Sequence, residues 1–322
     1  MRRYVSNLNP TVKEQYDELS ILRRLQVPDR PVDAVLDTDT YNEIDDQFAL
    51  AYMIRSEERI HIKGIHAAPF SFKPGRATDP KEGMEKSYQE IRKLLGLLGR
   101  EDLAGLARKG SGQYLPDENT PVRSEAADHL AELAKLYSSD NPLYIVSIGA
   151  ITNVASFLLL YPELRDNVVV IWLGGHSLEW PDIYEYNMKQ DVAAARVVFG
   201  SGVPLVLLPC RGVVSGFSIS KPEVEYWLKG KNALCDYLAE SLIAYAESKS
   251  DLPTWTKPIW DVAAVAWLLG GFMLDRLEIS PIPEYDFQWG RDRTRHLIRY
   301  VYYVERDLLM NDLIKKLTGR KE

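Results

Sequence analysis

The alternation of short apolar runs with helix-like segments constrains the fold of this chain more than any other feature. The run NVVVIWLGG (167–175) is apolar without interruption, as strands are when a parallel sheet buries both their faces. AVLDTD (34–39), PLYIVSIG (142–149) and VPLVLLP (203–209) are shorter runs of the same kind, and RIHIKGIHAA (59–68) alternates as a strand does. Segments with helical spacing separate them, at 46–56, 84–100, 124–139, 150–162 and 191–200, with Ser124 placed as an N-cap. Further on, 221–248 reads as two helices, 260–271 as an apolar helix, 296–304 as a late strand and 305–319 as a terminal helix. Residues 11–26 have helical spacing and stop at Pro28. They define an N-terminal helical extension over 1–30, ahead of a main domain over 31–322. Alternation of this kind puts helices on both faces of a mostly parallel sheet. The expected fold is α/β, a Rossmann-like open sheet in a single domain plus the N-terminal helix, and 322 residues suffice for it.

Five acids, Asp37, Asp39, Glu43, Asp45 and Asp46, crowd the stretch DTDTYNEIDDQFAL where the first strand gives way to the next helix. Ligands in open α/β sheets bind beyond the carboxyl ends of strands. Asp37 and Asp39 are two apart and share one side of an extended chain, whereas Asp45 and Asp46 fall where a helix dipole favours negative charge. Solvated loop acids with an N-cap are the bland explanation. Carboxylates this close share a proton or hold a cation, and an all-oxygen set without His or Cys suits Ca²⁺ or Mg²⁺ rather than zinc. The formal net charge of −7 disfavours a nucleic-acid partner. Two cysteines without metal-type spacing indicate a reducing compartment. The N-terminus lacks the apolar core of a secretory signal and no apolar run is long enough to span a bilayer, so a cytoplasmic protein with no membrane partner is expected.

The acidic stretch resembles DxDPGxDDxxAL, the N-terminal signature of the inosine-uridine preferring nucleoside hydrolases. Three further stretches agree in order: IGAITNVA (148–155) with TGGLTNIA, WLGG…EYN (172–187) with MGGG…EFN, and PIWDVAAVAW (258–267) with VHDPCAVAY. The resemblance runs from about residue 33 to 304 and leaves the N-terminal extension outside it. It implies Ca²⁺-dependent hydrolysis of the N-glycosidic bond of ribonucleosides. Carried over residue by residue, the metal ligands are Asp39, Asp46, the Ile148 carbonyl and Asp261, with Asp39 also the general base toward the attacking water. Asp45, Glu185 and Asn187 contact the ribose, Asp37 is a supporting acid and Asn153 is structural. By itself Asp261 reads as an N-cap, and Glu185 and Asn187 as an ordinary polar loop. The resemblance also implies a small-molecule nucleoside partner and a homo-oligomer, dimer or tetramer.

The chain departs from the signature in three places. Five residues, Thr40 to Ile44, separate Asp39 from Asp45 where the signature has three. This longer loop brings Asn42 or Glu43 toward the pocket. Trp260 precedes Asp261 where many members carry a His that protonates the leaving base. An indole cannot be a general acid, but it can stack on a purine; filling space is its other reading. Trp180, Trp255 and Tyr184 are weaker candidates for the same cage. HSLEWPDI (176–183) is shorter than the matching loop and lacks its ribose-contacting Asn; His176 there and His66 after the second strand could reach the pocket or be structural. Two other readings compete with this one. A haloacid-dehalogenase-type phosphohydrolase also begins with DxD, but position 41 is Tyr and no GDxxxD follows. A non-catalytic sugar- or nucleoside-binding protein with a retained metal site is compatible with the altered loops.

Overall fold

The computed structural model describes residues 18–71 and 75–319. In chain order it contains α1 (Glu18–Arg24), β1 (Val32–Thr38), α2 (Asp45–Ile54), β2 (Ile60–Ala67), α3 (Pro80–Leu97), β3 (Ala107–Lys109), α4 (Glu125–Ala134), β4 (Leu143–Ser147), α5 (Thr152–Leu160), β5 (Val168–Leu173), α6 (Tyr186–Gln190), α7 (Val192–Ser201) and β6 (Leu205–Leu208). The second part contains β7 (Ser218–Ser220), α8 (Lys221–Trp227), α9 (Ala233–Glu247), β8 (Thr256–Pro258), α10 (Val262–Leu269), β9 (Met273–Ile279), β10 (Ile282–Pro283), β11 (Trp289–Gly290), β12 (Leu297–Val304) and α11 (Arg306–Thr318).

Eight strands form the central sheet in the order β3-β2-β1-β4-β5-β6-β12-β9. All neighbours are parallel except β9, which runs antiparallel to β12. The chain walks outward from β1 to β3, then returns to the other side of β1 and walks away again. The order therefore reverses between β1 and β4, and a crevice opens beyond their carboxyl ends. Alternate strand residues feed two apolar layers. Leu36, Val146, Ile171 and Leu208 pack with α2, α9, α10 and α11 on one face, and Val35, Ile145, Val170 and Leu207 pack with α4, α5 and α7 on the other. Every residue of β5 is buried, as its unbroken apolar sequence requires.

The sequence expectations hold for most elements. Ser124 caps α4, its hydroxyl accepting the Ala127 N–H at 3.1 Å. Helix α3 starts at Pro80 rather than 84, because Asp79 caps it and Pro80 fits its first turn. The antiparallel edge strand β9 falls where no element was expected. Of the N-terminal helix, α1 is described and residues 11–17 lie outside the described residues. Ile21 and Leu25 join the first apolar layer, and Arg299 Nε donates to the Leu25 carbonyl at 2.7 Å. No helix among the described residues is long and apolar enough to cross a membrane.

Candidate active site

A cavity of about 240 Å³ opens at the sheet reversal, lined by Asp39, Asn42, Asp45, Asp46, Ile148, Glu185, Asn187, Trp260 and Asp261 among others. Those nine were all singled out from sequence. They come from the ends of β1 and β4 and the starts of α2, α6 and α10, which explains why residues so far apart in sequence converge.

β1 ends at Thr38 and the chain turns at once, the Asn42 N–H donating to the Asp39 carbonyl at 2.7 Å. This turn separates the two acids expected to share one side. Asp39 faces the cavity, whereas Asp37 lies fully buried beneath it and is not part of the lining. Asn153 Nδ2 and Ser147 Oγ donate to the two Asp37 oxygens at 2.8 and 3.1 Å. Burial outweighs those bonds and raises the Asp37 carboxyl to about 7. Gly110 makes this layer possible: a Cβ there would sit 2.1 Å from the Ala67 carbonyl oxygen and 2.4 Å from Asn153 Nδ2.

The longer loop brings both of its candidates in. Asn42 Nδ2 donates to Asp39 Oδ2 at 2.9 Å, and Glu43 lines the cavity wall. Asp46 accepts from Thr38 Oγ1 at 2.6 Å. Asp45 Oδ2 accepts the Trp260 N–H at 3.1 Å, tying α2 to the start of α10. Asp261 occupies the N-cap position of α10, yet its side chain caps nothing. Its carboxylate instead joins Asp45 and Asp46 in a buried triad whose nearest oxygens lie within 4.8 Å of one another. Burial, then the neighbouring charge of Asp45, raises Asp46 to about 7. Burial, then Asp45, Asp46 and Asp39, pushes Asp261 well above its ordinary range. A buried, all-oxygen cluster that resists ionisation on its own fits a hard divalent cation. Asp45, implied only as a sugar contact, stands in that triad; its two oxygens permit both roles.

Glu185 and Asn187 are more committed than their loop suggests. Glu185 caps α6 and accepts three backbone N–H groups, from Gly175, Asn187 and Met188, at 2.9–3.0 Å. The Cys210 thiol adds a fourth contact, which fills the roughly four acceptor sites of a carboxylate. Asn187 spends both amide hydrogens on the Ile148 and Leu173 carbonyls, at 2.9 and 3.0 Å. Its Oδ1 is the atom left for a hydroxyl donor, while the Ile148 carbonyl keeps a second lone pair.

His176 and Tyr184 line the cavity. His176 Nδ1 accepts the Arg211 backbone N–H at 3.3 Å, and burial lowers its pKa. His66 does not reach the pocket. It is buried between β2 and α4, with Nε2 2.9 Å from His129 Nδ1. Trp255 packs in the core and Trp180 packs edge-on against His176, so neither belongs to a cage around a base. Sequence reasoning missed Cys210 and Arg211, which also line the cavity. Their position just past β6 was the available signal, since parallel strands all end at the site.

The family model of the inosine-uridine preferring nucleoside hydrolases matches residues 34–296. The chain belongs to that family. It is an enzyme that hydrolyses N-glycosidic bonds of ribonucleosides. It is 29% identical over 251 residues to a pyrimidine-specific ribonucleoside hydrolase, RihA, of Salmonella paratyphi A, covering 70% of this chain and 76% of the relative. Two solved structures share its fold. A plant nucleoside hydrolase superposes with TM-score 0.71 at 16% identity, covering 90% of this chain and all of that one. A purine-preferring ribonucleoside hydrolase from Gardnerella vaginalis superposes with TM-score 0.66 at 18% identity, covering 89% and 98%.

Proposed function

We propose that this enzyme hydrolyses purine ribonucleosides with a calcium ion held by Asp39, Asp46, Asp261 and the Ile148 carbonyl. The observation that carries the reading is the convergence of four buried aspartates in one cavity walled by an indole. A divalent cation held by these residues would supply Lewis acidity, lowering the pKa of the attacking water. In this reading Asp39 takes the proton of the attacking water, and Asn42, donating to its Oδ2, fixes the carboxylate plane for that transfer. Asp45 accepts from a sugar hydroxyl, Asn187 Oδ1 from another, and Glu185 holds the α6 terminus that presents Asn187. The surrounding carboxylates favour the positive charge that develops on the sugar as the C1′–N bond breaks and the water oxygen bonds to C1′. With no His before Asp261, the departing base takes its proton from solvent, and stacking on Trp260 lowers the cost of its departure. The cavity is smaller than the roughly 300–1,000 Å³ of drug-sized sites, which supports a nucleoside-sized substrate.

The relatives' names point both ways on the base, so purine preference rests on Trp260 alone. Apolar Leu274, Leu277 and Ile279 are exposed on the edge strand β9 and support self-association. The two buried thiols suit a reducing cytoplasm. The decisive experiment follows free base released from a panel of purine and pyrimidine ribosides, with and without calcium after chelation. Faster release from purines, restored by calcium, is expected. Faster release from pyrimidines overturns the base preference. Full activity after chelation overturns the metal assignment, and no release from any riboside overturns the reading as a whole.

A further inference from the structure

The longer loop carries a carboxylate that the hydrolytic chemistry does not use. Glu43 lines the cavity together with Trp260, and two partners from distant elements hold its carboxylate. Tyr245 Oη, from α9, donates to Oε1 at 2.7 Å. Lys257 Nζ, from β8, donates to Oε2 at 2.9 Å and lies 6.0 Å from the centroid of the Trp260 ring. Burial disfavours the Lys257 ammonium, but Asp45 and Glu43 outweigh it and keep it charged. Through Lys257 this fastening ties Glu43 to the neighbourhood of the indole in the cavity wall. An ionised carboxylate accepts hydrogen bonds and donates none, and each of its oxygens accepts more than one.

We infer that Glu43 reads the edge of the departing base, and that it selects bases presenting adjacent N–H donors, guanine above all. This rests on the hydrolase reading and on Trp260 stacking the base. Guanine offers N1–H and the 2-amino group side by side, which matches a carboxylate in bidentate fashion. Hypoxanthine offers N1–H alone. Adenine turns the N1 lone pair toward the carboxylate, an acceptor facing an acceptor, which a site built for donors rejects.

The test compares kcat/KM for guanosine, inosine and adenosine in the wild-type enzyme and in Glu43→Gln. The expected wild-type order is guanosine, then inosine, then adenosine. The guanosine-to-adenosine ratio should fall about tenfold or more in the variant, the loss of one charge-assisted bond. A wild-type enzyme that prefers adenosine, or an unchanged ratio in the variant, overturns the inference. Glu43→Gln leaves Lys257 without its ion pair and could impair folding, so calorimetric binding of free guanine and free adenine to the wild-type protein is the second measurement. Tighter guanine binding supports the inference, and equal or reversed affinity overturns it. That measurement also separates the two readings, because bases can bind selectively even when no riboside is cleaved.

Discussion

Asp261 shows how much one side chain can conceal in a sequence. A lone acid before an apolar helix is an N-cap on local evidence, and Asp261 does occupy that position without capping anything. Its carboxylate turns to Asp45 and Asp46, more than 200 residues away along the chain, and only the matching of four separated stretches foretold that. Local signals failed for Glu185 in the other direction, since its carboxylate is largely spent on capping α6. Two predictions belong at this scale. Asp39→Ala should lower kcat by about 10³-fold or more, a loss typical of a removed general base, while circular dichroism and the melting profile recorded without calcium stay native. Turnover within tenfold of wild type would remove Asp39 from the proton transfer. Asp261→Asn should abolish the stabilisation that calcium confers. If the wild type binds calcium there as proposed, the ion at a hundred times its Kd should add about 2.7 kcal/mol, a rise of several degrees in Tm. An equal rise in the variant would place the cation elsewhere.

The elements themselves were legible where their pattern was strong. β5 is buried on both faces and apolar throughout, so it could scarcely be misread. β9 was not legible, because MLDRLEI is an antiparallel edge strand with only partial cover, and its adjacent charges Asp275 and Arg276 break the apolar–polar alternation. Helix α6 is five residues long, too short for any periodicity to register. Asp191, at its junction with α7, joins several elements through one carboxylate. It accepts the Ala194 N–H that starts α7 at 2.9 Å, the Leu115 N–H at 2.9 Å and Thr152 Oγ1 of α5 at 2.7 Å. Asp191→Ala removes a cap and strands two buried donors, so it should destabilise the protein by about 3 kcal/mol. Urea unfolding at pH 7 measures this, and a cost below about 1 kcal/mol would mean that water replaces the carboxylate.

At the scale of the molecule, parallel topology determines where chemistry can occur. Once β1 and β4 are neighbours, the acids after β1 and the Ile148 carbonyl after β4 must meet at one crevice, so the site was readable as soon as the sheet was. The response of the whole fold to acid was not readable, because it depends on histidines whose burial no local pattern reveals. His296, at the start of β12, is almost fully buried. Burial, then the nearby charges of Arg295 and Arg165, lowers its pKa from the ordinary 6.5 to about 3. Above about pH 6.5 it is neutral in both folded and unfolded chains and contributes no pH dependence. Below that, the unfolded chain takes up a proton that the folded one refuses, and stability falls by about 1.4 kcal/mol per pH unit until about pH 3. His66 acts with the same sign, since burial, His129 and Arg108 hold its pKa well below the usual value. The crowded carboxylates act with the opposite sign, so the informative quantity is a difference between variants. Urea midpoints of wild type and His296→Leu at pH 7 and pH 5 isolate it. The wild type should lose about 2 kcal/mol more than the variant between those two values, and equal losses would show that the folded protein accommodates a charged His296.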